Sequence, residues 1–198
     1  MEDKVKFSKN VILVDVAFLN QIVYHAKRVL GERMECEFPK IDLVAWLGYL
    51  SLDAGLRGSD NEIQVILVHD EATHELNCFE PIDLDGLNAM GCRTALGEFV
   101  FSCVTPARIT SCEALYLDLM NLALDSADVK CLMLVPFHPL YGDRVEDGLR
   151  DFFEGKDEEQ CSRAVYFVME KPLTPVLARW DLIINSLAQA FGIKSDDL

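Results

Sequence analysis

The sequence predicts an α/β fold in which helices cover both faces of a mostly parallel, five-stranded sheet. The first observation is the apolar run Val11–Val14, which ends in Asp15 and is followed at once by a helical pattern. The apolar runs 63–68 and 131–135 repeat this layout, each leading through polar residues toward another helix. Continuous apolar runs of this length are typical of strands that are buried on both faces of a parallel sheet.

Five strands alternate with helices along the chain, the order expected of right-handed crossover units. The strands are predicted at residues 11–15, 63–69, 98–104, 131–136 and 164–169. The helices are predicted at residues 17–31, 42–54, 112–126, 143–154 and 175–191, with a further short helix between residues 83 and 95. Gly31 is predicted to end the first helix, and Asp42 and Ser111 to cap the starts of two others.

One domain of 198 residues is the simplest interpretation, because the chain contains no repeat, linker or low-complexity segment. Residues 1–10 are predicted to form a polar lead-in, and residues 193–198 a tail that frays. The amino terminus lacks the apolar core of a secretory signal, and no apolar run approaches the roughly 20 residues that span a bilayer. We therefore expect a soluble, cytoplasmic protein that is not bound to a membrane.

The net charge of −15, from 18 basic and 33 acidic residues, argues against a general attraction to nucleic acid or anionic membranes. RNA binding would need a local basic strip or bound metal ions, and Lys27-Arg28 is the only basic dipeptide. The seven cysteines include no C-x-x-C pair, which argues against a zinc ribbon. No glycine-rich dinucleotide or phosphate-binding motif is present, so a classical dinucleotide enzyme or P-loop NTPase is not expected.

Asp15 is the strongest candidate for a functional side chain. It ends the predicted central strand, where a parallel sheet opens into a ligand-binding crevice, and a carboxylate there can hold Mg²⁺ or Mn²⁺. The alternative is that Asp15 caps the amides of the following helix. Asp70 comes after the second strand and presents a similar choice between a metal ligand and a solvated loop acid.

Three further candidates follow the third and fourth strands. Glu113 is either a metal ligand or a favourable charge in the first turn of its helix. Asp143 is either a metal ligand or the amino-terminal cap of its helix. His138, held between two prolines, is either a ligand or proton carrier with a possible catalytic role, or a packing residue.

The order of elements resembles the PIN-like nuclease superfamily, especially its NYN branch, from about residue 11 to residue 170. The resemblance rests on Val11–Asp15 as the opening strand with the first metal-binding acid, on Ala114–Leu119 as the helix before the fourth strand, and on Cys131–Val135 as that strand. It implies a three-layer, Rossmann-like domain with the sheet order 3-2-1-4-5 and an acidic metal site at the strand ends. The chain as a whole also resembles an uncharacterised family of unknown function from Bacteroidales.

The departures from this pattern fall on the acids. Where the fourth strand of the superfamily leads into Ser-Gly-Asp-x-Asp, this chain has His138 and Leu140 at the positions of the acids. Among the ligands of the superfamily, only Asp15 transfers cleanly. The resemblance therefore implies a catalytically degenerate domain that binds a protein or a small ligand.

Two other hypotheses stay open. An active metal-dependent ribonuclease would need at least two of Asp70, Glu113 and Asp143 within about 5 Å of Asp15, so that one ion can bridge them. An unrelated Rossmann-like small-molecule binder or enzyme would show a deep apolar pocket where the strand order switches direction. The last predicted helix carries apolar residues that either complete the core or form the face of a homodimer: Trp180, Ile183, Ile184, Leu187 and Phe191.

Overall fold

The sheet is larger than the sequence predicts. A computed structural model, which describes residues 6–172 and 174–193, contains a sheet of seven strands and a second sheet of two. The strands are β1 (Asn10–Asp15), β2 (Ile41–Asp42), β3 (Asn61–Val68), β4 (Phe79–Glu80), β5 (Gly91–Arg93), β6 (Gly97–Val104), β7 (Cys131–Val135), β8 (Ala164–Val168) and β9 (Arg179–Leu182). The helices are α1 (Val16–Met34), α2 (Leu43–Asp53), α3 (Leu84–Leu87), α4 (Cys112–Asp125), α5 (His138–Phe153), α6 (Glu158–Cys161) and α7 (Ile183–Ala190).

The large sheet is mostly parallel and has the strand order β5-β6-β3-β1-β7-β8-β9. In the described part of the chain, its one antiparallel pair is β5 with β6. The expectation of five strands in the order 3-2-1-4-5 is therefore corrected. The five predicted strands correspond to β6-β3-β1-β7-β8, and one further strand extends the sheet at each edge. Strands β2 and β4 pair with each other apart from this sheet.

Helices cover both faces of the sheet, which makes three layers. Side chains of β1 alternate between two apolar cores. Ile12 and Val14 belong to the core beneath α1, α2 and α7, whereas Val11 and Leu13 belong to the core beneath α4 and α5. Burial on both faces explains why this strand is a continuous apolar run in the sequence. The α/β class and the mostly parallel sheet covered by helices are confirmed.

The capping residues predict two helix starts correctly and one helix end wrongly. Asp42 Oδ1 and Ser111 Oγ each accept a hydrogen bond from the amide three residues further on, at 3.0 and 3.1 Å. Gly31 does not end α1. The helix continues to a left-handed residue, Glu35 (φ 51°), whose amide donates to the Gly31 carbonyl and closes the helix one turn later than predicted.

The region predicted as one helix over 175–191 contains two elements instead. Strand β9 occupies its first part and pairs with β8, and α7 follows directly. Ile183 and Leu187 of α7 are buried in the core beneath α1 and α2. Trp46 Nε1 of α2 donates a hydrogen bond to Ser186 Oγ at 3.1 Å. The buried residues of α7 therefore complete the core.

The two chain ends are described only in part. Residues 1–5 of the predicted lead-in and residues 194–198 of the predicted tail lie outside the described residues. Phe7 is buried in the core beneath α4 and α5, and Asn10 already belongs to β1, so the later part of the lead-in is part of the fold. Within the described ranges, no helix combines the length and apolar character needed to cross a membrane.

Candidate functional site

Asp15 ends the middle strand of the large sheet, at its carboxyl edge. Its side chain is buried, with 3% of the residue exposed. Asp15 Oδ1 accepts a hydrogen bond from the backbone N of Phe18 at 2.9 Å and so caps the start of α1. Such a cap satisfies one of the free amides at a helix start. The capping role that the sequence offered as the alternative for Asp15 is present in the structure.

The second oxygen of Asp15 also has a partner within the chain. Tyr141 Oη donates a hydrogen bond to Asp15 Oδ2 at 2.7 Å. Tyr141 lies at a bend of α5, where its φ of −142° and ψ of 21° are not helical, shortly after Pro139 in the first turn. Sequence reasoning missed Tyr141. The one local signal is Pro139, which indicates an irregular helix start but not the direction of the tyrosine side chain.

A second tyrosine packs against this pair. Tyr116 of α4 is fully buried, and its ring centroid lies 5.5 Å from that of Tyr141. Tyr116 Oη donates a hydrogen bond to the Leu13 carbonyl of β1 at 3.0 Å. Asp15, Tyr116 and Tyr141, which we call the Asp15 network, therefore tie β1 to α4 and α5. Both hydroxyls are satisfied, as buried polar groups must be to avoid a desolvation cost.

Burial is the main cause of the pKa shifts of Asp15 and Tyr141. It raises the pKa of the Asp15 carboxyl above its ordinary value of 3.8, although hydrogen bonds from Tyr141 and from amides at the start of α1 act in the opposite direction. Burial is also the main cause that raises the pKa of the Tyr141 hydroxyl, and the charge of Asp15 adds to it. Tyr141 therefore stays protonated at neutral pH and remains the donor of the pair.

Asp70 follows β3 and lies in an exposed turn. Asp70 Oδ1 accepts hydrogen bonds from the backbone N of Ala72 at 2.9 Å and of Thr73 at 2.8 Å. A hydrogen bond from the Thr73 side chain is the main cause that lowers the pKa of the Asp70 carboxyl, and the two backbone bonds add to it. These bonds favour the charged form of the acid. Asp70 is therefore a turn-forming acid whose own loop supplies its partners.

The remaining predicted residues have separate surroundings. Glu113, in the first turn of α4, pairs with Arg144 of α5. Asp143 is exposed within α5, and the prediction that it caps this helix is wrong, because α5 already begins at His138. The His138 ring stacks on Tyr166 with 5.8 Å between centroids. The Tyr166 hydroxyl is buried and has no hydrogen-bond partner in the part of the chain that the structure describes.

Four acids were predicted as metal ligands: Asp15, Asp70, Glu113 and Asp143. Among residues 6–172 and 174–193, no group of three or more His, Cys, Asp or Glu side chains is placed so that it could hold a metal ion. A hard cation needs several convergent oxygens, and both oxygens of Asp15 already accept hydrogen bonds from the chain. The described residues therefore give these four acids no geometric support as ligands of Mg²⁺ or Mn²⁺, and that role stays a prediction.

Comparison with known proteins gives a family but no activity. The family model that matches is "Family of unknown function (DUF6621)", and it covers residues 4–198. No curated protein matches the chain, and no solved structure matches it. Any functional interpretation therefore depends on the geometry of the chain itself.

Proposed function

Since the chain belongs to this family of unknown function, we propose its role from the site: a PIN/NYN-like domain that has lost metal-dependent catalysis and binds a protein or a small ligand. One observation carries the proposal. Asp15 stands where a PIN-like nuclease would have its first metal ligand, yet both of its oxygens accept hydrogen bonds from the chain, one from Phe18 N and one from Tyr141 Oη. Through these two hydrogen bonds the carboxylate links the start of α1 to α5.

Opening this carboxylate to a metal ion would be costly. Separating Tyr141 Oη from Asp15 leaves a buried hydroxyl without a partner, at a cost of about 1–3 kcal/mol. Withdrawing Asp15 Oδ1 from Phe18 N removes a helix cap, at a further cost of about 1 kcal/mol. A metal ion would have to offset both costs, and among residues 6–172 and 174–193 no group of three or more His, Cys, Asp or Glu side chains is placed to help hold it.

The strand arrangement supports the PIN/NYN-like part of the proposal. Strands β6, β3, β1, β7 and β8 are neighbours in this order and run parallel. Asp15 ends the strand in the middle of the five. This is the arrangement that the sequence resemblance implies, and the outer strands β5 and β9 are additions to it.

Charge argues against RNA as the ligand. Proteins that bind RNA gain most of their affinity by neutralising phosphates with Lys and Arg, and this chain has 18 such residues against 33 acids. The charge of Asp70 also acts on Asp15 and raises its pKa. The carboxyl edge of β1 and β3 therefore holds two acids, Asp15 and Asp70, whose negative charges would repel a phosphate backbone.

The test is cleavage of a labelled single-stranded RNA in the presence of Mn²⁺. We expect no metal-dependent cleavage by the wild type, by Asp15→Asn or by Asp118→Asn, a control at an exposed position of α4. Cleavage that requires Mn²⁺ and is lost only in Asp15→Asn would contradict the proposal and establish a metal-dependent ribonuclease. Equal Mn²⁺-dependent cleavage by all three proteins that follows the protein through further purification would also contradict the proposal, because it would place a nuclease site away from Asp15.

A second copy of the chain is one of the protein partners that the proposal includes. Trp180 is 40% exposed on β9, an edge strand of the large sheet. Exposed tryptophan is enriched at protein interfaces. Gel filtration over a range of concentrations tests this partner, because a homodimer elutes later on dilution whereas a monomer does not shift.

A further inference from the structure

The strand order reverses direction beside Asp15. From β1 the chain continues to β3 and β6 on one side of the sheet, and it later adds β7 and β8 on the other side. The switch point therefore lies between β1 and β7. In open parallel sheets, ligands bind just beyond the carboxyl ends of the strands at such a point.

A cleft at this place has the size and the lining of a small-molecule site. Its volume is about 360 Å³, and pockets that bind small molecules measure roughly 300–1,000 Å³. It is lined by Phe18 and Ile22 of α1, by Pro139 of α5 and by Met169, which follows β8. Phe18 is buried, and its ring lies 5.8 Å from that of Phe137. The apolar lining is therefore anchored in the core.

Two polar side chains line the same cleft. Gln21 provides an amide donor and acceptor, and His25, one turn further along α1, provides ring nitrogens. Both residues are exposed and lie on the same face of the helix. A mostly apolar cleft with a few polar groups on one side is the common pattern of a small-molecule site. This pattern fits a flat aromatic molecule with a hydrogen-bonding group at one edge.

Exposed apolar side chains lie at the cleft and next to it. Tyr24 is 67% exposed and Met169 is 40% exposed, and both line the cleft. Leu140, the neighbour of Pro139 in the chain, is 72% exposed. Apolar surface gathered in one place marks binding sites more often than apolar residues that are scattered singly. A ligand in the cleft would remove part of this surface from water.

We propose that this cleft binds a small aromatic molecule of one or two rings, with its rings against the exposed side chains of Pro139 and Met169 and its polar edge toward Gln21 and His25. The inference rests on the proposed function, because it names the ligand class of the binding module. No member of the Asp15 network lines the cleft. Ligand binding and the state of the Asp15 carboxylate can therefore be tested separately.

Indole is a suitable probe, because it has two fused rings and one N–H at its edge. In a titration of isotope-labelled protein followed by NMR, we expect saturable binding with shift changes centred on α1 and Met169. Met169→Trp fills the cleft and should weaken indole binding by about tenfold or more, which corresponds to about 1.4 kcal/mol of binding free energy. Leu122→Trp, at a similarly exposed position of α4, is the matched control and should leave binding unchanged.

Indene tests the polar edge of the cleft, because it has the shape of indole without the N–H. We expect indene to bind more weakly than indole, and Gln21→Leu to reduce that difference. Circular dichroism checks that each variant folds. If Met169→Trp does not fold, Gln21→Trp fills the cleft from an exposed position of α1 and replaces it.

The inference is overturned if indole shows no saturable binding, or if filling the cleft leaves its binding unchanged. The proposed function fails in a different way, through RNA cleavage that requires both Mn²⁺ and Asp15. Absence of indole binding together with absence of cleavage would overturn the small-molecule inference and leave a protein as the partner of the module.

Discussion

Asp15 ends β1 and Asp70 follows the neighbouring parallel strand β3, yet the structure buries the first acid and exposes the second. Both come after a buried apolar run, and both accept hydrogen bonds from amides that follow them in the chain. Burial raises the pKa of Asp15, whereas hydrogen bonds in an exposed turn lower the pKa of Asp70. The role of an acid after a strand is therefore decided by what packs over it, and not by its place in the sequence pattern.

The helix α5 makes the difference between the two acids. Its bend at Tyr141 lets the tyrosine hydroxyl donate to Asp15. The partners of Asp70, in contrast, come from its own loop. We therefore expect the removal of Asp15 to lower the free energy of unfolding much more than the removal of Asp70.

Replacing Asp15 by alanine should produce the largest loss of stability. The change removes the cap of α1 and leaves the buried Tyr141 hydroxyl without an acceptor, which together cost about 2–4 kcal/mol. Removal of the buried carboxylate offsets part of this loss at pH values where Asp15 is charged. Asp70→Ala is the matched control, and it should cost about 1 kcal/mol or less because its turn is exposed to water. Urea unfolding measures both values. Equal losses of unfolding free energy in the two variants would contradict the claim that Asp15 is held by buried contacts and Asp70 is not.

Removing only the Tyr141 hydroxyl should give the next largest effect. Tyr141→Phe keeps the packing against Tyr116 but leaves Asp15 Oδ2 without its donor, at a cost of about 1–2 kcal/mol. Tyr24→Phe, in which the lost hydroxyl belongs to an exposed residue, should change the free energy of unfolding by less than about 0.5 kcal/mol. A loss in Tyr141→Phe no larger than in the control would show that the contact with Asp15 contributes nothing to stability.

The two acids should give stability a pH dependence of opposite sign. The raised pKa of Asp15 means that the folded state binds the proton of this carboxyl more tightly than the unfolded state does. The contribution of Asp15 to the free energy of unfolding therefore falls as the pH rises through the window above 3.8. The lowered pKa of Asp70 has the opposite effect: its contribution to the free energy of unfolding is fully present above pH 3.8 and is lost as the pH falls below that value.

Unfolding experiments across this range would isolate the two contributions. The quantity to measure is the free energy of unfolding of the wild type minus that of Asp15→Asn, and likewise for Asp70→Asn. The first difference should decrease with rising pH, and the second should increase. Slopes of the same sign would mean that the two carboxyl groups do not have the opposite pKa shifts assigned to them.

The smallest effect should come from the Glu113–Arg144 ion pair. Glu113→Gln should cost less than about 1 kcal/mol, because exposed ion pairs are screened by water and salt. The loss should shrink further at high salt, which unfolding at two salt concentrations measures. A large, salt-independent loss would indicate that Glu113 belongs to a buried site at the strand ends.

Local signals explain what could be predicted from the sequence. The apolar run of β1 and the cap that Asp15 forms involve residues close together in the chain, so both were visible there. The contact between Asp15 and Tyr141 joins residues 126 positions apart and depends on a bend in α5, so no local pattern contains it. The strands β2 and β4 have two residues each, too few to show a period of alternation.

The edge strand β9 shows a different reason for failure. It has four residues, Arg179–Leu182, and runs directly into α7, so its apolar residues merge with the helical pattern that follows. Its pairing with β8 decides that this stretch is a strand. The same limit applies to the candidate site: the position of Asp15 at the end of β1 is a local feature, whereas the surroundings of Glu113 and Asp143 depend on how α4 and α5 pack, which no local pattern contains.

The central claim, that Asp15 is a structural carboxylate and not a metal ligand, is tested most directly with Mn²⁺ and isotope-labelled protein. Paramagnetic Mn²⁺ broadens the NMR signals of amides close to a bound ion. We expect no selective broadening of the amides from Asp15 to Phe18, and the same result for Asp15→Asn. Selective broadening of these amides in the wild type that disappears in Asp15→Asn would contradict the claim.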